Sequence, residues 1–313
     1  MSWLLFAFCG PVLWAISVHL DKYLVERFFK DSDVAILVLF TALVVVLALP
    51  VIWYFEPTVF APSLSSIALT ALSGILYMTG MLFYLRALQN EEASVVAPFF
   101  QTGPLFGYVL AYLVLGETLS GRQMLGGALI IVGALFVSIR MVPIKSSPAS
   151  GTGEGRGAFK FRLAALMVTC GFIMALASLI FKVFALKIEF WTTIFWMFVG
   201  EGIFGAVLLM IPRYRRQFMT LLRTNTTALL SINASNELIN LGGGLGNRYA
   251  LIFAPLSIVQ AIGSTTTLFV FAFGVVLSIF FPQLGREDLS GRELVQKGIA
   301  AIFVAVGVAL VTR

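Results

Sequence analysis

The sequence predicts an all-α integral membrane protein, with ten transmembrane helices arranged as two inverted five-helix repeats. Three observations predict this fold class. The 313 residues are 59% hydrophobic and 12% charged, with a mean hydropathy of +0.98. Apolar runs of about 18 residues or more recur along the chain, as in polytopic membrane proteins. A polar segment near the middle separates two halves that carry related motifs in the same order.

Ten apolar segments are long enough to cross a bilayer as helices, which satisfy all their backbone hydrogen bonds internally. The first segment lacks a basic stretch before it, so we expect a retained span and not a cleaved signal peptide. The predicted spans are about 3–20, 34–54, 66–86, 93–115, 122–140, 161–181, 190–211, 228–246, 254–281 and 294–312.

The longest polar connection covers residues 141–160 and contains Ser, Pro and Gly residues typical of a flexible linker. It separates a first repeat, residues 1–140, from a second repeat, residues 161–313. The motif Leu-Ser-Gly-Arg at 119–122 recurs at 289–292, and Cys-Gly at 9–10 recurs at 170–171. Because five spans is an odd number, two such repeats in series have opposite orientations in the membrane, an architecture of secondary transporters.

The eighth span carries a one-sided polar stripe. Asn233, Asn236, Glu237 and Asn240 follow the spacing i, i+3, i+4, i+7, which puts them on one face of a helix. Glu237 lies near the middle of the span, where a carboxylate costs a few kcal/mol or more if it faces lipid. The stripe therefore indicates either a pathway for a small solute or a polar seam that joins this helix to its neighbours.

The third span carries a matching stripe. At an offset of 163 residues, the three Asn positions correspond to Thr70, Ser73 and Tyr77. Two symmetry-related stripes suit two walls of one cavity, although both are also consistent with hydrogen bonds between packed helices. Glu237 corresponds to Gly74, so the acid is present in one half only.

Several other residues are candidates for binding or coupling. Glu201 is a second acid within a span, and with Glu237 it is a candidate for proton coupling. Its Gly-rich neighbourhood, residues 200–205, also suits close helix packing or a homodimer contact. His19 and Trp14 lie near the end of the first span, where proton transfer or stacking on a ligand competes with plain packing.

Gln101 and Gln260 occupy matching positions in the fourth and ninth spans, close to Pro and Gly residues. Such residues free backbone groups within a span, and broken helices often form substrate sites in transporters. Both glutamines are therefore candidate substrate ligands.

The composition argues against an enzyme. One His and two Cys within predicted spans do not supply a metal site or a disulfide framework. The sequence contains no nucleotide-binding loop or nucleophile elbow that stands out. We therefore expect no cofactor and no nucleic-acid partner, and any transport must use an ion gradient or the gradient of the solute.

The distribution of the 21 Lys and Arg residues predicts the orientation. Most of them fall on the side that also holds the linker, which is therefore predicted to be cytoplasmic. Both termini are then outside a bacterial-type inner (plasma) membrane. The opposite side is assigned Arg122, Lys182, Lys187, Arg248 and Arg313.

The ends of the halves resemble a known family. The segment Leu-Gly-Glu-Thr-Leu-Ser-Gly-Arg at 115–122, the Ser-Val-Val-Ala-Pro at 94–98, and Trp14 followed by Lys22 resemble the EamA-type domain of the drug/metabolite transporter superfamily. In the second half the run Arg286-Glu287-Asp288 interrupts the acid position. The resemblance implies ten helices in two inverted repeats, alternating access and a central cavity.

The resulting functional hypothesis is a secondary active transporter that exports a small metabolite, amino acid or drug-like solute, with coupling to protons. The alternative is a membrane receptor or scaffold that transports nothing. The expected partners are a small solute and the lipid bilayer. The predicted substrate-binding residues are Asn233, Asn236, Glu237, Asn240, Tyr77, Ser73, Gln101, Gln260, Trp14 and His19.

Overall fold

The computed structural model describes residues 2–28, 33–90, 102–138, 153–224, 227–280 and 291–312. These residues form α-helices and one 3-10 helix, with no β-strand among them, as expected for a chain whose backbone is satisfied within lipid. The α-helices are α1 (Ser2–Phe28), α2 (Ala35–Phe55), α3 (Leu64–Asn90), α4 (Gly103–Leu115), α5 (Gly121–Ser138), α6 (Gly153–Lys187), α7 (Phe190–Met210), α8 (Pro212–Thr224), α9 (Thr227–Phe253), α10 (Leu256–Gly263), α11 (Thr266–Phe280) and α12 (Gly291–Thr312).

Seven described segments are long and apolar enough to cross a membrane. They are α1, α2, α3, α6, α7, the run formed by α10 and α11, and α12. Two further apolar helices, α4 and α5, are shorter within the described residues. The helix α9 has 27 residues, but it carries Asn, Glu and Arg side chains along its length. The all-helical membrane fold is confirmed, and the count of ten spans stays a prediction.

Three local features differ from the sequence analysis. Residues 153–160, which were assigned to the linker, form the first turns of α6. The predicted ninth span is divided at residues 264–265 into α10 and α11. Residues 212–224 form the additional helix α8, in which Tyr214 and Phe218 are buried while Arg215 and Arg216 are exposed. This helix was missed because its arginines were interpreted as loop charges.

The helices pack in pairs that join the two halves of the chain. The helix α1 packs along α9, and α3 packs along both α6 and α7. Further contacts between the halves join α2 with α7, α5 with α12, α4 with both α6 and α10, and α1 with α11. The largest apolar core lies among α6, α7, α9 and α10, and a second core lies at the start of α2 with α8.

Small residues let some of these helices approach unusually closely. A Cβ atom on Gly200 of α7 would overlap the backbone carbonyl of Ala71, and one on Gly74 of α3 would overlap that of Met197. Similarly, a Cβ on Gly126 of α5 would lie 2.6 Å from the carbonyl oxygen of Gly307. Gly74, Gly126 and Gly200 therefore serve close helix packing within one chain, and a homodimer stays a prediction.

We predict that Gly200→Ala destabilises the protein by about 1–3 kcal/mol, since the added methyl group meets backbone that cannot move aside without separating α3 from α7. Gly298→Ala is the matched control, because Gly298 lies within α12 with no atom within 4 Å of its added Cβ. Alanine favours helix there, so this variant should be as stable as the unmodified protein or more so. Thermal unfolding in detergent measures both variants. Equal stability of the two would contradict the packing assigned to Gly200.

Candidate functional site

The polar stripe of α9 faces the protein interior. Asn233, Asn236 and Glu237 are each 5% exposed or less, and Asn240 lines an internal cavity together with Glu237. On the opposite face of the same helix, Leu238 is 61% exposed. The helix therefore turns its polar side toward the other helices and its apolar side toward lipid.

Neutral groups hold the carboxylate of Glu237. The hydroxyl of Thr41 on α2 donates a hydrogen bond to Glu237 Oε1 at 3.2 Å, and the side chain of Asn240 is a second hydrogen-bonding neighbour. Asn236, the residue directly before Glu237, donates from Nδ2 to Asp21 Oδ1 at 2.7 Å. This contact ties α9 to the end of α1 and brings a second carboxyl group, that of Asp21, close to Glu237.

The second acid of the membrane interior is paired with an arginine. Arg248 of α9 donates from Nη2 to Glu201 Oε1 of α7 at 3.1 Å. Its guanidinium carbon also lies 5.0 Å from the centre of the Tyr77 ring and 5.7 Å from that of Phe198. The two rings can favour the cation electrostatically, in addition to its carboxylate partner.

The position of Arg248 corrects the charge assignment made from the sequence. Arg248 and Lys182 were assigned to the ends of spans, yet both are buried. Lys182 of α6 pairs with Glu117 and donates from Nζ to the carbonyl oxygen of Ala254 at 2.6 Å. A long cationic side chain is tolerated in the interior when a carboxylate and polar acceptors surround it, so neither residue reports on topology.

Glu117 also stabilises the break between α9 and α10. Its Oε2 accepts a hydrogen bond from the backbone N–H of Leu256 at 3.0 Å. Lys182 donates to the carbonyl oxygen of Ala254 just before Pro255, so these two backbone groups at the break have side-chain partners. Glu117 of the first half therefore caps a helix that belongs to the second half of the chain.

Two small adjoining cavities lie beside α9. The first is lined by Trp14, Tyr77, Ala177, Ser178, Phe181, Met197, Gly244, Asn247, Arg248 and Leu251. The second is lined by Thr41, Val44, Val45, Tyr77, Glu201, Glu237, Asn240, Leu241, Gly244 and Arg248. Tyr77, Gly244 and Arg248 belong to both linings. Glu201, Glu237 and Arg248 therefore lie next to the aromatic side chains that line the first cavity.

The other predicted site residues divide into two groups. Trp14 and Tyr77 line the cavities. His19 contacts the backbone oxygen of Val270 through Nε2 at 2.9 Å, which joins α1 to α11. Ser73 donates to the carbonyl oxygen of Thr70 in its own helix at 2.6 Å, and Gln260 packs against Gly107 of α4. Neither cavity includes these last three residues in its lining.

Gln101 lies outside the described residues. Among those that are described, no group of three or more His, Cys, Asp or Glu side chains is arranged to hold a metal ion.

The sequence analysis missed Arg248, Thr41 and Asp21 as members of the site. A signal for Arg248 was present, because the face of Glu237 and Asn240 continues through Gly244 to Arg248 at helical spacing. Gly244 leaves space for the guanidinium, since a Cβ there would lie 3.2 Å from Arg248 Nη1. Thr41 and Asp21 meet Glu237 and Asn236 only through the packing of separate helices, so no local pattern identifies them.

Comparisons with known proteins show what parts of the chain resemble. Residues 1–139 match the model of the EamA-like transporter family. A segment of 68 residues is 40% identical to an uncharacterized protein of Methanocaldococcus jannaschii, and it covers 22% of this chain and 50% of that protein. A solved crystal structure superimposes with a TM-score of 0.69 over 99% of this chain and 96% of its own, at 12% identity. This last similarity supports the fold alone.

We predict that Arg248→Met lowers the free energy of unfolding by about 3–5 kcal/mol, because it leaves Glu201 as a buried carboxylate without its cation. The double variant Arg248→Met with Glu201→Gln should recover part of this loss. Reversible unfolding in mixed SDS and detergent micelles measures the coupling energy through a double-mutant cycle.

Arg213→Met is the control for this cycle. Arg213 pairs with Asp33 at 3.6 Å but is 71% exposed at its side chain, so its loss should cost less than about 1 kcal/mol. Additive effects of the Arg248 and Glu201 substitutions would contradict the coupling of the two residues.

Proposed function

Because residues 1–139 match the model of the EamA-like transporter family, a branch of the drug/metabolite transporter superfamily, we propose that this membrane protein is a secondary transporter of a small solute. The solute is a metabolite, amino acid or drug-like compound, and the direction predicted from the sequence is export. The protein binds the solute between its two halves and exposes the site to each side of the inner membrane in turn.

One observation carries this proposal. Glu237, Glu201 and Arg248 line a cavity in the interior of the helix assembly, away from the lipid-facing surface. Ionisable residues at such depth are energetically expensive, and in membrane proteins they mark solute or ion pathways. Apolar residues would hold the same helices together without this cost, so helix packing alone gives no reason for the three charged groups.

The helix contacts support two inverted repeats of five spans. In span order, α1 of the first half corresponds to α6 of the second half, and α3 corresponds to α9. The contact of α1 with α9 therefore corresponds to the contact of α6 with α3, and both pairs are close contacts. In three further pairs each helix packs against its own counterpart in the other half: α2 with α7, α4 with α10, and α5 with α12. Such an arrangement suits alternating access, in which the two repeats exchange conformations around a central site.

Proton coupling through Glu237 is part of the proposal. Glu201 is neutralised by Arg248, whereas Glu237 contacts the neutral Thr41 and Asn240. A proton can therefore bind at Glu237 when the solute is absent and leave when the solute binds. Glu201 then serves to hold Arg248 in the wall of the cavity.

The orientation with a cytoplasmic linker and both termini outside also stays a proposal. Removing the buried Lys182 and Arg248 from the comparison leaves fewer basic residues on the opposite side, so the Lys and Arg bias becomes stronger. The exposed arginines of α8 lie on the side assigned to the cytoplasm.

The proposal predicts that Asn240→Cys reacts with a membrane-impermeant thiol reagent from both sides of the membrane. The background is Cys9→Ala with Cys170→Ala, because both native cysteines are free. Leu238→Cys is the matched control on the same helix, since its lipid-facing position excludes a charged reagent. Mass spectrometry of inside-out and right-side-out vesicles measures the labelled fraction.

Protection of Asn240→Cys from both sides would indicate a sealed polar seam and favour the scaffold alternative. Reaction from one side alone would favour a receptor with a one-sided pocket. Either result would contradict alternating access.

A further inference from the structure

We propose that the site binds a small organic ammonium ion, with the carboxylate of Glu237 as its counter-ion. The inference rests on the proposed transport function and specifies the chemical class of the solute. It depends on three features of the described residues: the balance of charge, the orphaned hydrogen-bond acceptors, and the aromatic lining beside Glu237.

The charge balance leaves one carboxylate of the cavity without a cation. Among the described residues, Arg248 is the cationic member of the lining, and it contacts Glu201. The charged groups that act on Glu237 are two further carboxyls, those of Asp21 and Glu201. A bound cation would offset this excess of acid, whereas a bound anion would increase the repulsion.

The orphaned groups of α9 are acceptors. The side-chain oxygens Oδ1 of Asn233, Asn236 and Asn247 are buried with no hydrogen-bond partner among the described residues. Of these three residues, Asn247 lines the first cavity, whereas Asn233 and Asn236 lie outside both cavity linings. Buried acceptors favour a ligand that supplies donors, and an ammonium group has N–H donors and no acceptor.

The arginine is not free to bind a carboxylate ligand. Its guanidinium already contacts Glu201 and lies beside the rings of Tyr77 and Phe198. A carboxylate ligand would have to displace Glu201 and leave that acid buried without a partner. A zwitterionic amino acid therefore fits less well than the amine with the same skeleton.

Aromatic side chains provide a surface for the body of the cation. Trp14, Tyr77 and Phe181 line the first cavity, which shares Tyr77 and Arg248 with the cavity of Glu237. Apolar groups of the ligand can pack on these rings, and the faces of Trp and Tyr attract an ammonium group.

Binding of the ammonium ion exchanges it for a proton. The protonated Glu237 carboxyl releases its proton to water on the open side, and the resulting carboxylate pairs with the ammonium ion. One positive charge leaves as another enters, so the charge of the cavity does not change. The groups facing Glu237 in this exchange are Thr41 of α2, Tyr77 of α3, Glu201 of α7, Asn240 and Arg248 of α9, and Asp21 of α1.

The test compares ligands that share one skeleton. Phenethylamine is the cation, phenylalanine the zwitterion, 3-phenylpropionate the anion and 2-phenylethanol the neutral compound. The same comparison uses isoamylamine, leucine and 4-methylpentanoate for an aliphatic body. Ligand binding to the folded state raises the melting temperature of the purified full-length protein by mass action. We expect stabilisation by the amines, and weaker or no stabilisation by the other members of each series.

Two variants assign the binding to Glu237. Glu237→Gln should weaken amine binding about 30-fold or more, the loss typical when one partner of a buried charge pair is removed. Glu56→Gln is the matched control, because Glu56 lies just before the 3-10 helix Pro57–Phe60 and outside both cavities. It should leave amine binding unchanged.

The exchange with a proton is tested with benzyltrimethylammonium, whose charge does not depend on pH. A carboxyl group is ionised at high pH, so this ligand should bind more weakly as the pH falls. The dependence should disappear in Glu237→Gln if that carboxyl is the competing site.

Stabilisation by the acids or zwitterions in preference to the amines would overturn the inference, and so would amine binding that Glu237→Gln leaves intact. The absence of binding by every compound would also overturn it. None of these results bears on labelling of Asn240→Cys from both sides, so the transport proposal succeeds or fails by that separate measurement.

Discussion

The arrangement of the buried polar side chains depends on the free-energy cost of placing charge in the low-dielectric interior of a membrane protein. Arg248 and Glu201 meet this constraint by pairing across α7 and α9. Lys182 and Glu117 meet it in a different way, because their pair also satisfies the backbone groups freed at the break between α9 and α10. Glu237 is the exception, since its nearest partners are neutral, and the functional proposals follow from this difference.

Close packing of α3 against α7 makes the contacts of Arg248 with Glu201 and Tyr77 geometrically possible. The contacts of Gly74 with the backbone of α7, and of Gly200 with that of α3, bring these helices together one turn from Tyr77 and beside Glu201. The ring of Tyr77 then lies near the guanidinium of Arg248. The small residues therefore contribute to stability through packing, and they also determine which side chains of α3 and α7 reach the polar region of α9.

The helix α9 links the charge pattern to the movement expected of a transporter. Its polar face contacts α1 through Asp21, α2 through Thr41 and α7 through Glu201. A change in the charge on Glu237 would alter its interactions with Thr41 of the first half and with Glu201 of the second. Substrate binding, protonation and the relative position of the two halves would then be coupled through the same few contacts.

The sequence by itself determined the class of the protein, because membrane spans are encoded by the length and hydropathy of local segments. It also determined that Asn233, Asn236 and Glu237 share one face of a helix, since helical spacing is a local property. It did not identify α8, whose exposed arginines resemble loop charges. Only the tertiary structure decided that Arg248 and Lys182 are buried partners of Glu201 and Glu117, and that Glu237 contacts Thr41. These pairs join residues far apart in the chain, and their contacts depend on which helices pack together, which no periodicity within a single helix records.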